Sequence, residues 1–143
     1  IALAAALRRQ QRHFRIGPAR RGYDDPSYVH EVRAFDGNGL RPFSPVHLRA
    51  EDQGGTLALS WIRRTRIDGD DWALAEVPLG EEQELYEVRV MQGETVLRSA
   101  QVATPQWSYD PAQDGLSGSF EIAVAQVSAR YGPGPFARLS LTA

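Results

Sequence analysis

From residue 45 onward, apolar and polar residues alternate along short stretches that turn sequences separate. This period of two places successive side chains on opposite faces of a β-strand and is typical of half-buried strands. The predicted strands are Val46–Leu48, Thr56–Ile62, Leu85–Val90, Thr95–Ser99, Gln106–Tyr109, Phe120–Val127 and Phe136–Leu141. Between them, segments such as 114–118 and 132–135 carry the glycine and proline that turns require. This pattern predicts an all-β antiparallel sandwich of the immunoglobulin-like or fibronectin type III class.

The first fifty residues of the chain resemble the last fifty when they are shifted by 93 positions. The shift aligns Phe14 with Trp107, Ile16 with Tyr109, Gly22 with Gly115, and Pro42-Phe43 with Pro135-Phe136. A period near 93 is the length of one sandwich domain, so we expect a repeat. Residues 1–44 are then the closing strands of a preceding similar domain, and residues 45–143 are a complete sandwich. Within the first part, residues 1–13 are interpreted as a short helix, a strand or a connector.

The same alignment, with one residue removed, brings Tyr28 onto Phe120. In sandwiches of this class a tyrosine at this position closes a corner through a hydroxyl hydrogen bond to the backbone. Tyr28 fills the position in the first repeat, whereas Phe120 has no hydroxyl. The complete domain must therefore close its corner in another way.

Charge argues against a general binder of nucleic acid or another polyanion. All 16 basic residues are arginine, 18 residues are acidic, and the net charge is -2. Residues 1–49 contain nine arginines and four acids, whereas residues 50–143 contain seven arginines and fourteen acids. The absence of cysteine from the sequence excludes a disulfide framework, a thiolate metal site and a cysteine nucleophile.

The apolar run near the start of the sequence is Ile1 to Leu7, which is far shorter than the roughly 20 residues that a membrane span needs. The arginines follow this run instead of preceding it, so the sequence predicts neither a signal peptide nor a membrane anchor. Because the chain opens on Ile1 and closes just after a strand-like segment, we expect it to be the end piece of a longer protein.

No catalytic, cofactor or metal site is predicted. The histidines at 13, 30 and 47 are 17 residues apart each time, so no single element presents two close metal ligands. The segment Gly115–Gly118 misses the glycine-flanked serine of a nucleophile elbow by one residue and is interpreted as a turn. Asp68-Gly69-Asp70-Asp71 could be a calcium loop, but it lacks the glutamate at loop position twelve, and such runs are commonly plain turns.

One long segment stands out between the predicted strands that end at Ile62 and begin at Leu85, because loops of this length are uncommon in a small sandwich and tend to be functional. Its mixed charges favour an ion-paired loop that folds back on itself, with protein contact and nucleic-acid contact as the alternatives. Trp72 either caps the core or meets a partner, whereas Trp61 and Trp107 are predicted to be core residues. The candidate protein-interface residues are Arg63, Arg64, Arg66, Asp68, Asp70 and Trp72.

This region resembles a known family. The motif is Ser60-Trp61-Ile62-Arg63-Arg64-Thr65-Arg66-Ile67-Asp68-Gly69-Asp70-Asp71-Trp72, followed by the segments 77–82 and 86–90 and preceded by 25–30, 35–42 and 45–50. It resembles the C-terminal region of the large baseplate hub, or host-specificity protein, of tailed-phage-like gene transfer agents and their prophage relatives. The resemblance covers the chain from about Phe14 onward.

The resemblance implies a non-catalytic structural module of a virion-like particle, located in the tail baseplate, assembled in the bacterial cytoplasm and extracellular after release. Its implied partners are other copies of the hub and neighbouring tail or fibre proteins, with no nucleic acid and no membrane span. The alternative is a module that binds a glycan or receptor on the recipient cell, with Trp72 or Tyr131 as the stacking platform. Enzymatic domains of such hubs lie elsewhere in the polypeptide.

Overall fold

The computed structural model describes residues 4–69, 73 and 76–143 of the chain. The chain divides into two compact units, Ile1–Leu40 and Arg41–Ala143. This division lies four residues before the predicted boundary between residues 44 and 45. The reason is Pro42, which is fully buried in the second unit: a Cβ atom on Gly134 would overlap the carbonyl group of Pro42. The segment that leads into the first strand of the second unit therefore packs with that unit.

The first unit contains few regular elements. They are a 3-10 turn at Ala5–Leu7, strand β1 at Arg12–Ile16, strand β2 at Val29–Arg33 and a second 3-10 turn at Asn38–Leu40. Strands β1 and β2 pair in an antiparallel sheet with Phe14 opposite Glu31. Among the described residues of the segment 1–13, the helical interpretation holds for one turn only. That turn stops at Arg8, whose backbone leaves the helical region with φ of -57° and ψ of 137°, and Arg12 already belongs to β1.

Tyr28 occupies the predicted corner position just before β2. Its hydroxyl donates hydrogen bonds to the carbonyl oxygens of Pro18 at 2.9 Å and Arg21 at 3.2 Å. The ring lies directly over Gly17, where a Cβ atom would approach the ring carbon Cγ to 2.5 Å. Residue 17 must therefore be glycine for the tyrosine to close this corner.

The pairing of β1 with β2 also joins two histidines that the sequence separates by 17 residues. His13 Nδ1 lies 3.0 Å from His30 Nε2, and the two rings meet edge to edge, with their centroids 5.2 Å apart and an interplanar angle of 8°. Their positions are diagonal across the sheet, because His13 faces Val32 and His30 faces Arg15. Both imidazoles are exposed on the same face of the sheet.

The described residues of the second unit form eight strands. They are β3 (Val46–Asp52), β4 (Leu57–Ile62), β5 (Tyr86–Gln92), β6 (Thr95–Val102), β7 (Gln106–Tyr109), β8 (Ser119–Ser128), β9 (Gly132–Pro133) and β10 (Ala137–Thr142). Seven of them coincide with the predicted strands within a few residues, and β9 is an additional short pairing with the end of β8.

The seven main strands form two antiparallel sheets. One sheet has the order β3-β4-β7 and the other has the order β10-β8-β5-β6. The sheets enclose an apolar core. The alternation in the sequence accounts for β5, where every second residue is buried. In β8, by contrast, every residue from Ile122 to Ser128 is buried. The core residues are Leu59, Trp61, Tyr86, Val88, Val90, Tyr109, Phe120, Ile122 and Val124, with Trp107 packed against them. The predicted all-β sandwich and the core position of Trp61 are confirmed, whereas Trp107 is half-buried and packs against the core.

The second unit closes its corner without a hydroxyl at position 120. Phe120 is buried, and its ring packs against that of Tyr109 with the ring centroids 6.4 Å apart. The Tyr109 hydroxyl donates to the Asp114 carboxylate at 2.8 Å, and Asp114 ends a 3-10 turn at Pro111–Asp114. The tyrosine that fastens this corner therefore comes from the strand before it.

Candidate interaction site in the loop between β4 and β5

The loop of residues 63–85 joins the two sheets at one end of the sandwich. We call this end the loop end, since β4 finishes there at Ile62, β5 starts there at Tyr86 and β8 finishes there at Ser128. The structure describes residues 63–69, 73 and 76–85 of this loop. The predicted interface residues Asp70 and Trp72 lie outside the described residues.

Arg63 joins the outgoing arm of the loop to the returning arm. Its guanidinium donates to the carbonyl oxygen of Pro78 at 2.9 Å and also to that of Val77. These bonds satisfy two main-chain acceptors that would otherwise need water. Arg63 therefore holds the shape of the loop.

Arg66 makes the second connection between the arms. Its Nε and Nη2 donate to Glu81 Oε1 at 3.1 and 2.8 Å, and the two side chains are 19% and 4% exposed, respectively. The Glu81 carboxylate is thus largely removed from water, and Arg66 is its ion-pair partner. The described part of this segment is therefore an ion-paired loop that folds back on itself, which is one of the alternatives that the sequence left open.

Thr65 and Gly80 pack closely between these two connections. The Thr65 hydroxyl accepts a hydrogen bond from the Ile67 backbone N–H at 3.1 Å. Gly80 has a φ of 73°, and a Cβ atom there would lie 2.9 Å from Thr65 Oγ1. Glycine is needed at position 80 both for its backbone conformation and for this close approach.

The base of the loop rests on a polar rim above the core. The Tyr86 hydroxyl donates to Glu84 Oε1 at 2.7 Å, while its buried ring packs edge-on against Trp61. Burial, reinforced by the hydrogen bond to the Glu84 carboxylate, raises the pKa of Tyr86 above its ordinary value of 10.0. On the neighbouring strand, the Ser128 hydroxyl donates to Glu82 Oε2 at 3.3 Å. The returning arm is therefore tied to both β5 and β8.

The remaining described candidates point outward. The Arg64 guanidinium lies 5.0 Å from the centre of the Phe43 ring, and both residues are exposed. Asp68 is exposed and adopts a left-handed conformation with φ of 45°. The six predicted interface residues thus divide by role, since Arg63 and Arg66 maintain the loop whereas Arg64 and Asp68 face solvent.

Exposed apolar side chains accompany Arg64 and Asp68, and the sequence interpretation missed them. They are Ile62 (57% exposed), Ile67 (48%), Val77 (46%) and Phe43 (43%). We call these four residues, with Arg64 and Asp68, the loop surface. The exposure of Ile62 follows from alternation, because Trp61 points into the core and its neighbour must point away. The exposures of Ile67 and Val77 depend on the path of the loop, so the spacing of apolar residues along the sequence does not indicate them.

Within the described part of the chain, no helix has the length and apolar character needed to cross a membrane.

Comparisons with known proteins support the fold. No protein-family model matches the sequence, and no curated protein matches it. Among solved structures, domains d3–d4 of the rat CD45 extracellular region match 100% of this chain and 68% of their own, with a TM-score of 0.54 and 9% identity. The FN3tt mutant matches 71% of this chain and 94% of its own, with a TM-score of 0.48 and 20% identity. The Clostridium perfringens spore cortex lytic enzyme SleM matches 71% of this chain and 28% of its own, with a TM-score of 0.49 and 12% identity. The strand order and the likeness to CD45 identify the second unit as a fibronectin type III-like β-sandwich.

Proposed function

We propose that this chain is a non-catalytic structural module of a phage-like tail baseplate hub, and that it positions neighbouring subunits or fibres at the tail tip. The observation that carries the proposal is the loop surface, whose exposed apolar side chains lie on and beside an internally fastened loop, together with Arg64 and Asp68. The motif 60–72, whose resemblance to baseplate hubs suggested the particle, begins in β4 and continues into this same loop.

The composition of the loop surface fits a protein partner. Exposed apolar groups mark interaction sites when they adjoin, as Ile62 and Val77 do where they line one cleft with Arg64 and Asp68. Arginine and aromatic residues are enriched where proteins meet. The charges on Arg64 and Asp68 can set the register of a partner at the edge of the apolar contact. Nucleic acid fits poorly, because residues 41–143 contain nine arginines and fourteen acids.

The fastening of the loop favours tight docking. A loop that must become ordered on binding loses conformational entropy, and this loss weakens the complex. Here Arg63 and Arg66 connect the two arms before any partner arrives. A preformed loop surface suits a module that holds a fixed place among subunits.

The experiment compares two variants of the full-length parent protein in assembled particles. Arg64→Glu/Ile67→Asp changes the loop surface, whereas Arg49→Glu changes an exposed arginine on β3 and serves as the matched control. Quantitative mass spectrometry of purified particles measures the amounts of hub, tail and fibre proteins. We expect the loop-surface variant to lose one neighbouring protein or the hub itself, and the control to keep the normal composition.

The opposite result contradicts the proposal. Loop-surface particles with normal composition and normal attachment to recipient cells would show that this loop holds no subunit. Normal composition with reduced attachment would replace the structural role by the receptor-binding alternative.

A further inference from the structure

We infer that the ion pair between Arg98 and Asp114 prevents β6 from pairing with β6 of a second copy of this chain. The inference is independent of the loop surface and of the proposed function. It rests on the place of β6 at the edge of its sheet, on the face to which Arg98 belongs and on the hydrogen bonds that hold its side chain.

β6 has the features of a strand that accepts another strand. It is the last strand in the order β10-β8-β5-β6, so its outer side has no neighbouring strand among the described residues. Its eight residues, Thr95–Val102, contain no proline and one charged side chain, that of Arg98. Unpaired N–H and C=O groups along such an edge are a template for pairing with another chain.

The other three edge strands are less suited to such pairing. β7 has only four residues, the register of β3 shifts against β4, and β10 lies beside β3 of the other sheet. The register of β6 also shifts against β5, but only near the turn, and the pairing of residues 98–102 is regular. This regular part of β6 therefore needs a protection of its own.

Arg98 provides that protection because it belongs to the core-facing side of the sheet. It pairs with Val90, which is fully buried, and residues directly opposite each other on two strands share one face. A charged side chain that points inward at a sheet edge is one of the features by which proteins avoid edge-to-edge association. The core-facing side chains of an added strand would lie next to this charge.

Asp114 holds the Arg98 guanidinium at the open edge of the sandwich. The Arg98 Nε and Nη2 donate to the two Asp114 carboxylate oxygens at 2.8 and 2.7 Å, and Asp114 follows β7 of the other sheet. Both residues are half-buried, so water still reaches the ion pair. A strand added to β6 would remove this water, and the lost hydration of the two charges opposes the pairing.

The test measures the self-association of the full chain by sedimentation velocity over a range of concentrations. We expect Arg98→Val to raise the association constant at least tenfold above that of the wild type. Arg138→Val is the matched control: it makes the same substitution in the same sheet and also removes an ion pair, but Arg138 lies on the outward face of β10. The control should associate no more than the wild type.

Two results would overturn the inference. One is an association constant of Arg98→Val that stays at the wild-type value, as a purely stabilising ion pair predicts. The other is an equal increase in Arg138→Val, which would assign the association to the added apolar side chain alone. Arg98→Thr is a second variant in case valine at position 98 prevents folding, because threonine is polar and favours strands, and it should also increase association.

Hydrogen exchange locates the contact and uses one variant at two concentrations. In the associated form of Arg98→Val, the backbone amides of residues 95–102 should exchange at least tenfold more slowly than in the dilute monomer. Amides of residues 137–142 in β10 should be unchanged. Slowing in β10 instead of β6 would contradict pairing at the β6 edge.

Discussion

Arg98 and Asp114 join the two sheets of the sandwich at its open edge. The Arg98 Nε and Nη2 donate to the two carboxylate oxygens of Asp114 at 2.8 and 2.7 Å. Arg98 belongs to β6, the last strand of one sheet, and Asp114 follows β7, the last strand of the other. Tyr109 donates to the same carboxylate, so one acidic side chain fastens both the edge and the corner of the domain.

We expect Asp114→Asn to lower the free energy of unfolding at neutral pH. The amide loses the charge that receives the bidentate arginine, and such charge-assisted pairs are stronger than neutral hydrogen bonds. Urea unfolding followed by tryptophan fluorescence measures the change. Glu94→Gln, in an exposed turn, is the control and should behave as the wild type.

The same carboxylate predicts a pH dependence. The hydrogen bonds from Arg98 and then from Tyr109 lower the pKa of Asp114 from 3.8 to about 2. A carboxyl group whose pKa is lower in the folded state stabilises that state above its unfolded pKa, and this stabilisation is lost as the pH falls. The difference in unfolding free energy between wild type and Asp114→Asn should therefore shrink between about pH 4 and pH 2. A difference that stays constant over this range would contradict the assignment.

Breaking the Arg66–Glu81 ion pair of the loop should lower the free energy of unfolding more than breaking an ion pair on the surface. Arg66→Met leaves Glu81, whose side chain is 4% exposed, without its partner, and we expect a loss of about 3 kcal/mol of stability in the loop region. Arg66→Met/Glu81→Gln should recover part of this loss. Hydrogen exchange at residues 77–82 measures the opening of the loop directly.

Arg138→Met is the matched control for that pair. Arg138 contacts Glu121 across β10 and β8, but the two side chains are 55% and 28% exposed. A surface pair of this kind contributes less than about 1 kcal/mol. Equal losses for Arg66→Met and Arg138→Met would show that burial of the loop pair has no energetic consequence.

Gly134→Ala should destabilise the second unit by about 1–3 kcal/mol, as overpacking of a well-filled site does. The Gly134 N–H donates to the Gln126 carbonyl oxygen at 2.9 Å, which holds residue 134 beside Pro42 and leaves no space for a Cβ atom. Thermal unfolding measures the loss. Gly39→Ala is the comparison, because nothing lies within 4 Å of a Cβ atom there, and a similar loss for both variants would refute the steric explanation.

Tyr28→Phe should lower the stability of the corner before β2 by about 1 kcal/mol, which is the usual net contribution of a hydrogen bond. The change removes the donor to Pro18 and Arg21 and keeps the ring over Gly17. Hydrogen exchange of residues 17–33 measures the effect. Tyr23→Phe, at a ring that is 73% exposed, should leave exchange unchanged.

Much of the fold of the second unit could be predicted from the alternation of apolar and polar residues, because a strand with one buried face needs an apolar residue at every second position. Val88 and Val90 are fully buried for this reason, and so are Ile122 and Val124. A β-bulge is harder to foresee: the register of β3 against β4 shifts near His47, which carries a left-handed backbone without being glycine.

The site was less predictable, because side-chain partners in a loop depend on its path. Arg63 binds main-chain carbonyls, which every residue has, so no residue type marks its partners. The meeting of His13 with His30 depends on the register of β1 against β2, which spacing along the chain does not specify. A spacing of 17 residues therefore does not indicate this hydrogen bond across two strands.

The antiparallel order also determines how the second unit responds to force. Val46, where β3 begins, pairs with Ile62 at the loop end, whereas Thr142, where β10 ends, pairs with Ser119 at the opposite end. Tension applied between Val46 and Thr142 therefore runs along the strands and perpendicular to the backbone hydrogen bonds. Those bonds are loaded in shear and must break together instead of opening one after another. Under tension the second unit is therefore expected to behave as a stiff link along the chain.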